Sequence, residues 1–206
     1  MRASRTIGHL VATSAITAAL VASTGVAAHA DSAVVKDKAS DVISSKLEFN
    51  ADATDVVETE SVLDYRGSIA SGVDLRSMRV NHGKKTVTVT LKFAELRRDA
   101  MAVVALRLDG QAEPERLFMN TGRRSGTVSN DKGKKQCKVP VTTRTGPKGY
   151  IRTVIDRSCL DDPTRIKATT VSISLKMTDD SITVNQDVLS PKNVKTLRWT
   201  KWLKSS

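Results

Sequence analysis

The strongest chemical signal in the chain is a basic segment that runs from Arg123 to Arg152. It holds nine lysine and arginine side chains and a single acidic one, Asp131. The nine residues are Arg123, Arg124, Lys132, Lys134, Lys135, Lys138, Arg144, Lys148 and Arg152. Cations with few acidic neighbours attract polyanions by charge, and such binding weakens as salt is added. The segment therefore predicts a binding site for an anionic partner.

Two turn signals, at residues 130–133 and 146–149, decide where these cations lie. If both turns meet at one end of the fold, their cations form a single patch. The expected partner is then an anionic cell-wall polymer or a membrane surface. Nucleic acid is unlikely as the partner because Tyr150 is the segment's only aromatic residue and single-stranded nucleic acid is bound by stacking. Basic loops that only keep a monomeric protein in solution remain an alternative.

The two cysteines, Cys137 and Cys159, are predicted to form a disulfide. An even pair in an exported chain indicates a structural bridge. Strand-like runs lie on either side of a turn near Pro147, which places residue 137 opposite residues 157–159. The disulfide would clamp this hairpin and contribute roughly 3 kcal/mol to stability.

Catalytic and metal chemistry have little support in the sequence. His82 is the only histidine beyond residue 30, which is too few for a zinc site built from histidines. It stands beside Gly83, and we interpret it as an exposed turn histidine. The chain has no Gly-x-Ser-x-Gly motif. We predict no catalytic residue, no metal site and no cofactor, and we predict that the protein is not an enzyme.

Carboxylates leave two further interpretations open. A hydrolase could use a pair of them, although the sequence does not single out any pair. The candidates are Glu48, Glu58, Glu60, Glu95, Glu113 and Glu115. The adjacent acids at 161–162 and 179–180 are interpreted as turn residues, because they lack the alternating acidic pattern of a calcium loop.

The first thirty residues resemble a secretory signal peptide. Arg2 and Arg5 precede an apolar stretch, and the small residues Ala28 and Ala30 fit a cleavage site before Asp31. We therefore expect a secreted protein that is extracellular or associated with the cell envelope. The formal net charge of the whole chain is +11.

From Asp64 onward the hydrophobic pattern has a period of two, which is typical of antiparallel strands, and the predicted domain spans residues 61–187. Its clearest part is the hairpin of residues 75–82 and 86–93, in which Val87, Val89, Leu91 and Phe93 share one face. Regularly spaced strands predict an all-β domain, an antiparallel β-sandwich of jelly-roll-like or Ig-like type.

The two flanking segments are less regular. Residues 31–60 are predicted to be a polar arm, in which Ala39, Val42, Ile43 and Leu47 leave a short amphipathic helix possible. Residues 188–206 form a basic tail with Trp199 and Trp202. The tail could dock on the domain itself, or on a membrane or partner protein.

The domain resembles a loose group of small secreted β-sandwich proteins of actinobacteria that have no assigned function. The resemblance rests on Asp74-Leu75 before Met78, on the Thr-rich strand 86–93, on residues 103–109, and on Arg157-Ser158-Cys159-Leu160. It implies a β-sandwich and export, and it supplies no catalytic residues.

Together these observations predict a secreted, non-catalytic binding module that associates with anionic cell-envelope material through its basic loops. The alternatives are a secreted hydrolase that uses a carboxylate pair, and an inhibitor-like protein-binding module that presents the disulfide-clamped loop.

Overall fold

The computed structural model describes residues 30–49, 56–130, 132–190 and 196–205. The predicted signal peptide lies outside these residues, apart from Ala30. The side chains of Val56, Lys135 and Gln136 are also outside the described part. Within the described ranges, no helix has the length and apolar character needed to cross a bilayer.

The described residues form fifteen strands, one α-helix and one short 3₁₀ helix at Arg157–Leu160. The elements are β1 (Asp31–Lys36), β2 (Ile43–Phe49), β3 (Val56–Val62), α1 (Tyr65–Ser71), β4 (Leu75–His82), β5 (Thr86–Phe93), β6 (Glu95–Leu96), β7 (Met101–Leu108), β8 (Glu115–Asn120), β9 (Ser125–Ser129), β10 (Lys135–Arg144), β11 (Gly146–Pro147), β12 (Tyr150–Asp156), β13 (Arg165–Met177), β14 (Ser181–Val188) and β15 (Leu203–Lys204). The all-β prediction is confirmed.

Thirteen of these strands join in one curled antiparallel sheet. Its order is β1-β4-β5-β12-β10-β9-β8-β7-β13-β14-β2-β3, and β15 pairs with β13. The curl is visible in β10, whose residues 135–140 pair with β9 while residues 141–144 pair with β12. Pro140 stands where the partner changes, a position that suits a residue without a backbone N–H.

The curl brings β4 against β13, and one apolar core fills the space between the two parts of the sheet. Alternate residues of β5 are buried, among them Val87, Val89 and Leu91, as the two-residue pattern predicts. The Ser172 hydroxyl on β13 donates to the carbonyl oxygen of Val73 at 2.7 Å, which links the facing parts through a polar contact.

Two local predictions are wrong. The arm forms strands β1, β2 and β3, and β2 occupies the position of the possible helix. β2 has hydrogen-bonding partners on both sides, β14 and β3, and this pairing overrides the helical spacing of its apolar residues. The two-residue pattern also fails after Asp64, where helix α1 begins. The Asp64 carboxylate accepts from the Gly67 N–H at 2.6 Å, and Gly72 ends the helix with a φ of 74°.

Candidate functional site

The structure separates the predicted basic residues instead of collecting them at one end. Consecutive hairpin turns lie at opposite ends of the strand that joins them. The turn that carries Lys132 and Lys134 is therefore at one end of β10, and the turn between Arg144 and Lys148 is at the other. Ten residues of strand put roughly 30 Å between them. The prediction of a common patch for these two turns is wrong.

The other predicted cations are also distributed. Arg123 and Arg124 lie in the turn between β8 and β9, at the opposite end of β9 from Lys132. Lys138 lies on β10 where it pairs with β9, and Arg152 lies on β12. All of these side chains are exposed. Lys135 belongs to β10, but its side chain is outside the described part of the chain.

Three of the predicted residues meet cations that the sequence analysis missed. We define the basic face as the outer surface of β1, β4, β5, β12 and the end of β10. Its cations are Lys36, Arg79, Lys92, Arg144, Lys148 and Arg152, all of them exposed. Residues paired directly across an antiparallel sheet point to the same side, so the strand register places five of these side chains together. The sixth, Lys148, lies in the turn before β12 and lines a depression with Lys92 and Arg144.

The cations of the basic face are staggered in two rows. In one row Lys36 pairs with Ser77, Ser77 with Lys92, Lys92 with Tyr150 and Tyr150 with Arg144, so every second strand carries a charge. In the adjacent row Arg79 and Arg152 both pair with Thr90, on the strands that are neutral in the first row. Charges within a row are therefore about 10 Å apart, and the rows are about 7 Å apart.

Few protein contacts neutralise this face. The Arg144 guanidinium donates to the Lys148 carbonyl oxygen at 2.8 Å and lies 5.6 Å from the centre of the Tyr150 ring. In the described ranges, the ion pairs are Lys46–Glu48, Arg76–Asp74, Arg165–Asp109 and Lys201–Asp31, and none involves a cation of the basic face. A shallow depression of about 340 Å³ lies between Arg79, Lys92 and Arg152.

Cys137 and Cys159 form the predicted disulfide, with 6.1 Å between their Cα atoms. The bond joins β10 to the 3₁₀ helix that follows β12, so it fastens the base of this hairpin. The tip is held separately, because Gly146 and Pro147 pair with Leu96 and Glu95 of β6. The loop near Pro147 is thus part of a small sheet, which is unlike a free inhibitory loop.

His82 is buried, so its interpretation as an exposed turn residue is wrong. Its side chain has no exposed surface, and its Nδ1 lies 3.0 Å from the carbonyl oxygen of Leu203. Burial lowers the pKa of the imidazole, and the nearby Leu203 carbonyl opposes this shift. His82 shares the inward parity of Met78 and Val80 on β4, and this alternation could have indicated its burial.

The described end of the C-terminal tail, residues 196–205, docks on the domain. The Thr200 N–H donates to the Ala168 carbonyl oxygen at 2.8 Å, and the Ala168 N–H donates back to the Thr200 hydroxyl at 3.0 Å. Leu203 is completely buried. The Lys167 ammonium lies 5.5 Å from the Trp199 ring centre and 5.1 Å from that of Trp202. Both tryptophans therefore contact cations of this chain.

A second concentration of charge is acidic and buried. Asp37 and Asp41, from one loop, approach Asp74 and Asp187, which are distant from them in the sequence. Burial is the main cause of a raised pKa in all four, and it raises the pKa of Asp37 to about 8, of Asp41 to about 6 and of Asp187 to about 9. Repulsion between these carboxylates adds to the shifts of Asp37, Asp41 and Asp187. No local sequence pattern predicts the cluster.

Comparisons with protein-family models, with curated proteins and with solved structures find no match to this chain. The functional argument therefore rests on the residues themselves.

Proposed function

We propose that this protein is a secreted, non-catalytic binding module that docks an anionic polymer of the cell envelope on its basic face. The proposal includes removal of the first thirty residues on export and stacking of the two parts of the curled sheet as a sandwich. The observation that carries it is the staggered array of exposed cations on five adjacent strands, with no acidic partner within the described residues.

The shape of the array favours an extended polymer over a small ligand. Its charges are spread across five strands instead of converging on one enclosed pocket, and hydroxyls of Thr88 and Thr90 lie beside them. A chain of phosphodiesters can contact several such cations at once, and each contact releases counterions. Single-stranded nucleic acid is less favoured because Tyr150 is the one aromatic side chain in these rows.

Two observations support the non-catalytic part of the proposal. His82 is enclosed in the core, where it has no access to a substrate. The buried aspartates likewise lie beneath the surface, with Asp41 and Asp187 almost fully covered.

The test is retention on purified cell wall that carries a phosphodiester polymer. The charge reversal R79E/R152E should weaken retention about tenfold or more, since it replaces two cations at the centre of the array. Neither side chain makes a hydrogen bond or ion pair within the described part of the chain, so the fold should persist. The matched control is K132E/K134E, which changes the net charge equally at a distant turn.

Equal loss of retention in R79E/R152E and K132E/K134E would mean that net charge, and not the basic face, determines binding. Walls stripped of the phosphodiester polymer should retain little protein. Binding to anionic lipid vesicles without binding to intact wall would contradict the choice of a polymer as the partner.

A further inference from the structure

The buried acidic cluster lies where three segments meet. The loop between β1 and β2 supplies Asp37 and Asp41, the end of β14 supplies Asp187, and Asp74 precedes β4. One carboxylate oxygen from each of Asp37, Asp41 and Asp187 lies within 4.8 Å of the others. The segments are also joined by backbone hydrogen bonds, from the Asp37 N–H to the Arg76 carbonyl oxygen at 3.1 Å and from the Lys38 N–H to the Ser190 carbonyl oxygen at 3.0 Å.

Three of the four carboxylates are partly engaged by the protein. The Ser190 N–H donates to Asp37 Oδ1 at 2.5 Å, and the Leu75 N–H donates to Asp187 Oδ2 at 2.6 Å. Arg76 donates to Asp74 Oδ2 at 3.1 Å. These contacts fix the orientation of three of the four side chains.

The remaining oxygens are a separate observation that points to a ligand. Both oxygens of Asp41, together with Asp37 Oδ2, Asp187 Oδ1 and Asp74 Oδ1, are buried without a hydrogen-bond partner among the described residues. Asp41 is 2 % exposed and Asp187 is 1 % exposed. Buried polar atoms are nearly always paired, and an unpaired buried carboxylate is especially unfavourable. Asp41 faces two other carboxylates, and neither of its oxygens accepts a hydrogen bond from a described residue.

We propose that Asp37, Asp41 and Asp187 bind a calcium ion. Calcium takes six to eight oxygen ligands at about 2.4 Å, so two oxygens on one ion can be up to about 4.8 Å apart. The three aspartates meet this limit. Zinc favours nitrogen and sulfur ligands, and magnesium needs a tighter octahedral arrangement. The carboxylates therefore suit calcium best.

The charge around the cluster matches a divalent cation. Among the described residues, the cations that act on it are Lys38 from the same loop and Arg76 from β4. Arg76 is already paired with Asp74, and Lys38 is exposed. In the described part of the chain, four carboxylates against two cations leave two negative charges, which one calcium ion neutralises. The ion would fasten the loop after β1 to the end of β14.

The test uses the full chain, stripped with EDTA and titrated with calcium chloride in a calorimeter. We expect one calcium per chain and a rise in melting temperature of roughly 5–10 °C at a calcium concentration about 100-fold above Kd. The variants D41N and D187N should lose calcium binding and the calcium-dependent shift. Their folding without calcium is checked by circular dichroism, and D41N should melt no lower than the wild type in EDTA because it removes a buried charge.

Asp156→Asn is the matched control, since Asp156 is an exposed acid on β12, and it should bind calcium like the wild type. Identical melting curves in EDTA and in millimolar calcium would overturn the proposal and would mean that bound protons neutralise the cluster. Binding of magnesium in preference to calcium would overturn the choice of ion. Wall retention is measured separately, so either proposal can fail without the other.

Discussion

In both the basic face and the acidic cluster, side chains of like charge lie close together. The two regions differ in their exposure to water. The cations of the basic face are exposed to water, where repulsion across about 10 Å is largely screened and costs little. Asp41, Asp74 and Asp187 are buried and Asp37 is half-buried, so the same repulsion is less screened by water. The exposed cations therefore do not destabilise the fold when no partner is bound. A buried array requires protons or a cation for the fold to be stable.

The largest expected effect that tests this contrast is the pH dependence of stability in EDTA. The pKa of Asp37 is about 8 and that of Asp187 about 9 in the folded state, against 3.8 as the ordinary value. Both groups are protonated in the fold at pH 6 but ionised in the unfolded chain, so the folded state binds more protons. Stability should therefore fall as the pH rises, by roughly 6 kcal/mol between pH 6 and 9.

Urea unfolding at several pH values measures this loss. D187N should flatten the profile, since it removes one of the two groups. The R79E/R152E variant should keep the wild-type slope, because exposed charges contribute little. A flat wild-type profile in EDTA would show that the aspartates are not held in their protonated forms, and the contrast with the basic face would collapse.

A smaller effect of pH on stability is expected from His82, a buried side chain that could carry a positive charge. Burial lowers the pKa of His82, so the folded protein keeps the imidazole neutral. The unfolded chain takes up a proton near pH 6.5, and stability should decline as the pH falls through and below that value. In His82→Asn the side-chain amide can still donate to the Leu203 carbonyl oxygen. We expect this variant to lose the decline between pH 7 and 5.

Thermal unfolding of wild type and His82→Asn from pH 5 to 7 checks this expectation. The curves should diverge toward low pH. Parallel curves would mean that His82 accepts a proton in the folded protein without a loss of stability. This would contradict the burial of its side chain in the core.

The contrast also explains what the sequence could predict. Strands β4, β5 and β13 follow from local alternation, β7 follows from its apolar run, and β12 follows from the strand-like run after the turn near Pro147. The Cys137–Cys159 pairing follows from the hairpin between the two cysteines. The same alternation puts Arg79 and Lys92 on the exposed side, so two missed cations of the basic face were within reach. Their assembly with Lys36 was not, because it depends on β1 pairing with β4 across forty residues of chain.

The acidic cluster and the strands of the arm could not be predicted from local sequence patterns, because they also depend on contacts between distant segments. Asp37 and Asp187 are separated by 150 residues, and only the curl of the sheet brings them together. The arm forms strand β2 instead of a helix because β2 pairs with β14, and this pairing overrides the helical spacing of its apolar residues. The two turns do not form a common patch because they lie at opposite ends of β10. A count of charges along the sequence cannot show this.

The most direct test of the account is the salt dependence of binding to the purified phosphodiester wall polymer. The slope of log Kd against log salt counts the cations that contact the polymer. In R79A/R152A this slope should decrease by about two relative to the wild type, while K132A/K134A should leave it unchanged. An unchanged slope in R79A/R152A, or an equal decrease in both variants, would contradict docking on the basic face.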